Sequence, residues 1–312
     1  MLVLLYVAFC LVRFCLAIFF DGRVVASGDY EYSISINGGS ARVIKYNGDD
    51  EVVKIPNRFM FMKVIAMNEE AFSDNDNLQE ITIPSSVREI EANAFRNCTA
   101  LQKVNFTGRI GYIHEYAFFN CSSLQTLELP YSDKIVIIEE SAFESCSSLK
   151  SVDFRNSQVY VDTYAFYDCD SLENVYGASR LSSSYDAFDN TALERNCSGN
   201  DYFIIGSCLV KYLGSNKDVV VPDEVSDVSQ MAFADKGVES IHMPSGINEF
   251  NLRFTSDLKN LPTKVKLYYG NVEEFDPGYN FGYLRDNVVL YAPAGSAVID
   301  YAKRNGIEYI VE

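Results

Sequence analysis

The sequence predicts a β-rich solenoid with repeats of about 23 residues, atypical capping ends and a short C-terminal helix. One observation is the dipeptide Ala-Phe, which recurs at steps of 23, 23, 25, 23, 22 and 45 residues. A fixed period of this size is typical of units that bury their apolar face only against their neighbours. A second observation is that apolar residues alternate with polar ones before most of the pairs, which is the period of a β-strand. A third is that the rhythm fails at both ends, where terminal units must cover an open core. The pairs are Ala71-Phe72, Ala94-Phe95, Ala117-Phe118, Ala142-Phe143, Ala165-Phe166, Ala187-Phe188 and Ala232-Phe233.

Residues 1–17 are predicted to be a signal peptide, with an uncleaved N-terminal anchor as the alternative. The first 20 residues carry only one charge, Arg13, and Cys15 and Ala17 supply the small residues expected before a cleavage site. A stretch of about 20 apolar residues can also cross a bilayer. Either way we expect an exported protein, secreted or at the cell surface, that meets a membrane only through this segment if it is uncleaved.

Residues 18–66 precede the repeats and are predicted to form an N-terminal β cap. Repeats are predicted over residues 67–195, and the unit that begins at Leu78 illustrates them. Ile81 and Ile83 alternate as in a strand, and the proline that follows ends it because proline cannot donate to a sheet. Phe95 is large enough to fill the centre of the coil, and the alanine before it lets neighbouring coils approach.

Residues 196–250 are predicted to hold a β-hairpin insertion and one further repeat. The rhythm breaks after Leu193, and residues 201–214 have the pattern of two strands joined by a Gly-Ser turn. Residues 251–312 are predicted to form a C-terminal cap. Ser296 is placed to cap a short helix that ends at Gly306, and a last strand follows.

The recurring pattern of Leu78, Ile81, Ile83-Pro84, Ala94-Phe95 and Cys98 resembles the BspA-like leucine-rich repeats, also called the Treponema pallidum type. The likeness covers roughly residues 67–250. Members of that family are secreted or surface-attached, and those characterised mostly act as adhesins. The resemblance therefore implies leucine-rich repeats here, and a role as a non-catalytic adhesin for proteins or glycoproteins of a host, a matrix or a neighbouring cell.

The charge of the chain argues against nucleic acid as a partner. The net charge is −17, from 43 acidic and 26 basic residues, and no run of Lys and Arg occurs. Nucleic acids require a basic patch. The sequence also contains no phosphate-binding glycine loop and no zinc-ligand spacing, so we expect no cofactor and no metal.

The reactive residue types fall mostly into repeat slots. Cys98, Cys121, Cys146 and Cys169 each stand three residues after the Phe of a pair, which favours a column of buried thiols over disulfides or a metal site. Cys197 and Cys208 occupy no repeat slot, and a disulfide between them is the hypothesis for an exported protein. The two histidines, His114 and His242, are predicted on different faces, so a Cys-His or Ser-His nucleophile is not expected.

The outward residues of the predicted strands form the candidate ligand-binding face. They are polar and differ from one unit to the next, whereas the inward positions barely change. Tyr176 is the strongest single candidate because an exposed aromatic residue often anchors a contact, and Glu128 and Asp153 would favour a basic partner. The candidates are Glu80, Thr82, Lys103, Asn105, Thr126, Glu128, Ser151, Asp153, Asn174, Tyr176 and His242.

Two other functions stay open at this point. The chain could be a structural or self-assembling component of a surface coat without a discrete ligand. It could also be the recognition module of a secreted hydrolase, which would place catalytic residues in 251–312, a stretch without histidine or cysteine.

Overall fold

The structure, a computed structural model, describes residues 22–184, 186–229, 232–234, 236–244, 247, 264–275 and 286–312. The predicted signal segment, residues 1–17, and part of the predicted C-terminal cap lie outside these residues. The chain divides into two compact units. Unit 1 comprises Met1–Ser179 with Phe188–Leu193, and unit 2 comprises Arg180–Ala187 with Glu194–Glu312.

Unit 1 is built almost entirely from short strands. In chain order they are β1 (Val24–Ser27), β2 (Tyr30–Ser35), β3 (Ser40–Tyr46), β4 (Val52–Lys54), β5 (Arg58–Phe59), β6 (Met62–Met67), β7 (Glu80–Ile83), β8 (Glu89–Ile90), β9 (Lys103–Phe106), β10 (Tyr112–Ile113), β11 (Thr126–Glu128), β12 (Val136–Ile138), β13 (Ser151–Val161) and β14 (Asn174–Ser183), whose last residues belong to unit 2.

These strands form two parallel rows, one on each side of every coil. One row is β4-β7-β9-β11-β13, and it contains the strands that the sequence predicted in the repeats. In this row, Lys103 of β9 lies beside Glu80 of β7 and Thr126 of β11. The second row, β6-β8-β10-β12-β13, occupies the return path, where the sequence predicted no strands. The long strand β13 belongs to both rows because it continues through Arg155 and Asn156, which adopt φ of 47° and 62°.

The phenylalanines of the Ala-Phe pairs form the centre of unit 1. Six of these rings are at most 1% exposed, and the centroids of successive rings lie 4.9 to 5.3 Å apart. They belong to Phe72, Phe95, Phe118, Phe143, Phe166 and Phe188. Tyr46 of β3 stacks on Phe72 at 5.1 Å, so the N-terminal strands extend the same column. Strands β1, β2 and β3 form an antiparallel meander, and β3 then pairs in parallel with β6.

Unit 2 contains the predicted hairpin, which is followed by a second stack of parallel strands. The remaining elements are α1 (Ala192–Asn196), β15 (Tyr202–Ile205), β16 (Cys208–Tyr212), β17 (Asp218–Val220), β18 (Asp227–Val228), β19 (Ser240–His242), β20 (Val265–Tyr268), β21 (Val288–Ala292), α2 (Ala297–Asn305) and β22 (Tyr309–Val311).

The hairpin β15-β16 turns at Gly206, which has a φ of 61°. The second strand of the hairpin, β16, also pairs in parallel with β18. The strands β17, β19, β20, β21 and β22 follow one another in parallel order. Helix α2 has the predicted caps: Ser296 accepts a hydrogen bond from the Val298 amide, and Gly306 adopts a φ of 65°.

The predicted fold class, a β-rich solenoid with a short C-terminal helix, is confirmed. Unit 2 has its own core, in which Tyr212, Phe233, Leu267, Leu290 and Val298 are buried. No helix in the part of the chain that the structure describes is long and apolar enough to cross a membrane.

Candidate binding face

Ten of the predicted face residues lie in unit 1, on the row that contains β7, β9, β11 and β13 and on the adjacent β14. Each points away from the core, and the structure brings them together because neighbouring strands are in register: Glu80 lies beside Lys103, and Thr82 lies beside Asn105. Thr126 and Glu128 continue onto Ser151 and Asp153 of β13. The alternation of buried and accessible residues along each strand therefore produces one continuous polar surface.

Hydrogen bonds link the first strands of this face. The Asn105 side-chain amide donates to Glu80 at 2.6 Å, and the Lys103 ammonium lies 3.9 Å from the same carboxylate. Lys103 is largely exposed, so this ion pair contributes little to stability. A shallow depression of 340 Å³ lies beside the pair and is lined by Lys103, Val104, Asn105, Phe106, Thr126 and Glu128.

The acidic part of the face contains an arginine that the sequence interpretation missed. The Arg155 Nε lies 2.8 Å from Asp153, and one of its terminal nitrogens donates to Glu128. The Arg155 amide also donates to Asp153 at 2.8 Å. Both carboxylates are therefore paired with the Arg155 guanidinium. The repeat pattern did not indicate Arg155, because this residue comes after the last outward position that the pattern assigns to its strand.

Tyr176 is an exposed tyrosine among the predicted candidates, at 53%. The residue after it explains how β14 comes so close to β13. Gly177 has a φ of 73°, and a Cβ built there would lie 2.4 Å from a carboxylate oxygen of Asp153. Any other residue would have a strained backbone here, and its Cβ would clash with Asp153. Gly177 therefore lets β14 place Tyr176 near Asp153.

The last predicted face residue, His242, lies on β19 in unit 2. Its Nε2 is 3.1 Å from Asp218, which also accepts a hydrogen bond from Ser240. The Ser240 hydrogen bond and then His242 and Lys266 hold the pKa of Asp218 below its usual value. The His242 ring also stacks on Tyr268 at 4.4 Å. Sequence reasoning missed Tyr268, although the strand-like alternation of residues 265–269 could have indicated its outward position.

The four repeat cysteines are free, buried thiols, as the slot pattern favoured. Each thiol donates to the carbonyl of the phenylalanine one repeat earlier, at 3.1 Å for Cys98, 3.2 Å for Cys121, 3.3 Å for Cys146 and 3.2 Å for Cys169. Burial raises the pKa of Cys98 to about 12 and that of Cys121 well above its ordinary value. Thiols of this kind are poor nucleophiles because they stay protonated near neutral pH.

The predicted disulfide between Cys197 and Cys208 is not formed in the structure, where both are free. The Cys208 thiol is buried 3.5 Å from the Ser229 hydroxyl, and this burial raises its pKa to about 12. Cys197 follows α1 and is half-buried, near Glu194. The hairpin between them is closed by strand pairing instead of by a covalent bond.

The two histidines lie in different units of the structure. His114 contacts Glu139 at 3.0 Å on the return side of unit 1, whereas His242 contacts Asp218 on β17 in unit 2. Within the residues that the structure describes, no group of three or more His, Cys, Asp or Glu is placed to hold a metal ion.

Comparison with known proteins places the repeats in a family. The model of the BspA type leucine rich repeat region matches residues 65–194 and 137–262, in six copies. No curated protein matches the chain significantly.

Solved structures of bacterial leucine-rich repeat proteins also match the chain. A protein from Eubacterium ventriosum is 22% identical, with a TM-score of 0.43 over 55% of this chain and 50% of that one. The T. pallidum leucine rich repeat protein is 17% identical, with a TM-score of 0.34 over 92% and 97%. A leucine rich cell surface protein from Faecalibacterium prausnitzii is 14% identical, with a TM-score of 0.35 over 92% and 94%. At these identities the likeness concerns the fold alone.

Proposed function

We propose that this chain, which belongs to the BspA-type leucine-rich repeat family, is a non-catalytic binding protein, secreted or held at the cell surface, that acts as an adhesin. Its ligands would be proteins or glycoproteins of a host, a matrix or a neighbouring cell. Contact would be made through the strand face of the solenoid, which in unit 1 means the outward side of β7, β9, β11, β13 and β14.

The observation that carries this proposal is the contrast between the two sides of the same strands. Inward residues such as Ile81, Val104 and Leu127 are buried and apolar. The outward residues beside them change from one coil to the next, from Glu80 to Lys103 to Thr126. A surface that varies over a constant core suits recognition, because the fold tolerates substitution there at little cost in stability.

The chemistry of the face favours polar contacts around one aromatic anchor. Arg155, Lys103, Glu80 and Asp153 offer charged groups of both signs that are already oriented by their neighbours. Tyr176 adds an exposed ring, and tyrosine is enriched among residues that dominate binding energy. A pre-oriented polar surface also loses less side-chain entropy on binding.

The experiment is a binding screen of residues 18–312 against matrix proteins, glycans and whole cells, followed by affinity measurements on two variants. Tyr176→Ala should weaken binding to a ligand of this face by about tenfold, as expected for a contact anchor. Tyr164→Ala is the matched control, since this exposed tyrosine lies outside the strand row, on a turn. Equal affinities of Tyr176→Ala and the unmodified protein for every ligand would contradict the proposal.

A second candidate function, a self-assembling surface-coat component, is favoured by one feature of unit 2. All three residues of β22 are exposed, and the strand ends the order β17-β19-β20-β21-β22 in the described sheet. Exposed apolar edge strands are prone to pair with another chain. Concentration-dependent oligomers in a sizing experiment, together with no ligand in the screen, would favour this candidate over the adhesin.

A further inference from the structure

The parallel sheet of unit 1 opens between β9 and β11. In the described sheet these two strands are in register at a single pair, Thr126 beside Lys103. By contrast, β7 and β9 are in register at four pairs, and β11 and β13 at three. The depression of 340 Å³ lies at this opening, and we call it the β9–β11 cleft. It is lined by Lys103, Val104, Asn105, Phe106, Thr126 and Glu128.

The β9–β11 cleft opens because each of its two strands is held by its other neighbour. The amide and the hydroxyl of Thr107 both donate to the Ile83 carbonyl at 3.0 Å, so the end of β9 stays with β7. The Leu129 amide donates to the Asp153 carbonyl at 2.9 Å, so the end of β11 stays with β13. The cleft is therefore formed by paired strands and does not depend on the conformation of a loop.

The opening uncovers Phe106, which stands at an inward position of its strand. The residues at the corresponding position of neighbouring coils are Ile83, Leu129 and Phe154, and their exposed fractions are 1%, 1% and 0%. Phe106 is only partly buried and lines the cleft. Its ring contacts no other aromatic ring among the described residues, so its exposed part is available to a ligand.

The rim of the β9–β11 cleft offers both donors and acceptors of hydrogen bonds. The Asn105 amide nitrogen donates to Glu80 at 2.6 Å, which leaves the Asn105 carbonyl oxygen as an acceptor. In the part of the chain that the structure describes, neither this oxygen nor the Thr126 hydroxyl has a hydrogen-bond partner. The lining contains one cation, Lys103, and one anion, Glu128, and each lies in an ion pair. The lining therefore has no net formal charge, and it favours neither a cationic nor an anionic ligand.

We propose that the β9–β11 cleft binds one sugar unit of a neutral glycan. The proposal rests on the proposed function in taking the strand face as the binding surface. A pyranose ring has an apolar side of C–H groups and hydroxyls that both donate and accept. The C–H side packs on Phe106, and the hydroxyls bond to Thr126 and Asn105. Ligand pockets usually measure about 300–1,000 Å³, so a cleft near the lower limit suits a single unit better than a long chain.

A neutral sugar fits this lining better than an apolar or a charged side chain of a protein. An apolar side chain would cover the Asn105 carbonyl and the Thr126 hydroxyl without giving them a partner, which costs free energy. A charged side chain would gain no net attraction from a lining with one cation and one anion. A ligand with an apolar side and several hydroxyls uses both Phe106 and the polar rim.

The test applies the fluorescently labelled full chain to an array of defined oligosaccharides. Neutral ones, built from glucose, galactose, mannose and N-acetylglucosamine, stand beside sialylated and sulfated ones, and the tightest neutral ligand is then titrated by calorimetry. Phe106→Leu should weaken this ligand by about tenfold, because leucine lacks the ring. Leucine suits the fold there, since Leu129 occupies the corresponding position of the next coil. Thr126→Val should weaken the ligand by about fivefold, because it removes one hydrogen bond. Raising the salt concentration should change the affinity little, because the ligand is uncharged.

Thr82→Val is the matched control, because this threonine lies on the same strand face but does not line the cleft, so the ligand should bind it unchanged. The proposal is overturned if no neutral glycan binds, if only anionic glycans bind, or if either Phe106→Leu or Thr126→Val leaves the affinity unchanged. Ligands that respond to Tyr176→Ala but not to the cleft variants would leave the proposed function standing and sink only this inference.

Discussion

The phenylalanines and the cysteines of the repeats form two neighbouring buried columns in unit 1. Phe118 lies 4.9 Å from Phe95 and 5.0 Å from Phe143, measured between ring centroids. The thiol of Cys121 donates to the carbonyl of Phe95, so each cysteine joins its own coil to the preceding one. A thiol fits this slot because it is small, apolar and still able to satisfy one carbonyl.

The buried thiols should make the protein sensitive to alkali. Burial raises the pKa of Cys98 from 9.0 to about 12. The folded state therefore holds this proton more tightly than the unfolded state, so its contribution to stability is complete below about pH 9 and is lost as pH rises toward 12. We expect the free energy of unfolding to fall over this window, and the fall should be shallower by about 1.4 kcal/mol per pH unit in Cys98→Ala.

Urea unfolding at several pH values from 8 to 11 checks this expectation. Cys197→Ala is the control, because its thiol is only half-buried and its removal should change the slope less. Parallel plots of unfolding free energy against pH for Cys98→Ala and the unmodified protein would show that the buried thiol does not titrate in this way.

At the scale of elements, the strands that the sequence predicted are those with a simple period. Ile81 and Ile83, or Val265 and Leu267, alternate with polar residues and lie on strands β7 and β20. Three strands of the return path, β8, β10 and β12, escaped prediction because they are only two or three residues long, as in Glu89–Ile90. A strand this short has no detectable alternation, and it forms because the neighbouring coil supplies its hydrogen bonds.

A second periodic feature, the turn after each Ala-Phe pair, depends on the left-handed backbone conformation. Asn97 and Asn120 have φ of 58° and 56°, which asparagine tolerates better than most residues. Their side chains form a ladder, in which Asn120 donates to Asn97 at 3.1 Å and Asn97 donates to Asp74 at 2.8 Å. Ser145 occupies the next position with a φ of 62°, and its short side chain does not extend the ladder.

Replacing this serine should therefore stabilise the turn. Ser145→Asn places an amide where it can donate to the Asn120 side chain, and asparagine also suits the backbone conformation. We expect the free energy of unfolding in urea to rise by about 1 kcal/mol, the usual net value of one hydrogen bond. Ser145→Ala is the control without an amide, and it should not raise the free energy of unfolding, because alanine cannot extend the ladder. If Ser145→Asn is no more stable than Ser145→Ala, the ladder contributes nothing.

At the scale of the whole molecule, the candidate face was predictable only where the repeat is regular. Glu80 through Tyr176 could be placed from the slot pattern, since a fixed inward residue fixes its outward neighbours. Tyr291 and Ile310 could not be placed, because the rhythm is irregular beyond Phe250 and the strand register there is set by packing of the unit 2 core. Pairings between side chains, such as Arg155 with Glu128, depend on rotamers that no sequence period encodes.

In such a stack each coil should be stabilised mainly by its contacts with the adjacent coils. The effect of a core substitution should therefore be largest in the neighbouring coils and should decrease with distance along the stack. Phe118→Ala removes a fully buried ring from the middle of the column and should cost about 3–5 kcal/mol. Since the coils of Phe95 and Phe143 lose a direct contact, amide hydrogen exchange should accelerate most in β7, β9, β11 and β12, and least in β1 and β2. Phe119→Ala is the control, because its half-exposed ring lies outside the column. Equal acceleration in all peptides of unit 1 would mean that the unit opens only as a whole, and that its coils are not coupled mainly through their neighbours.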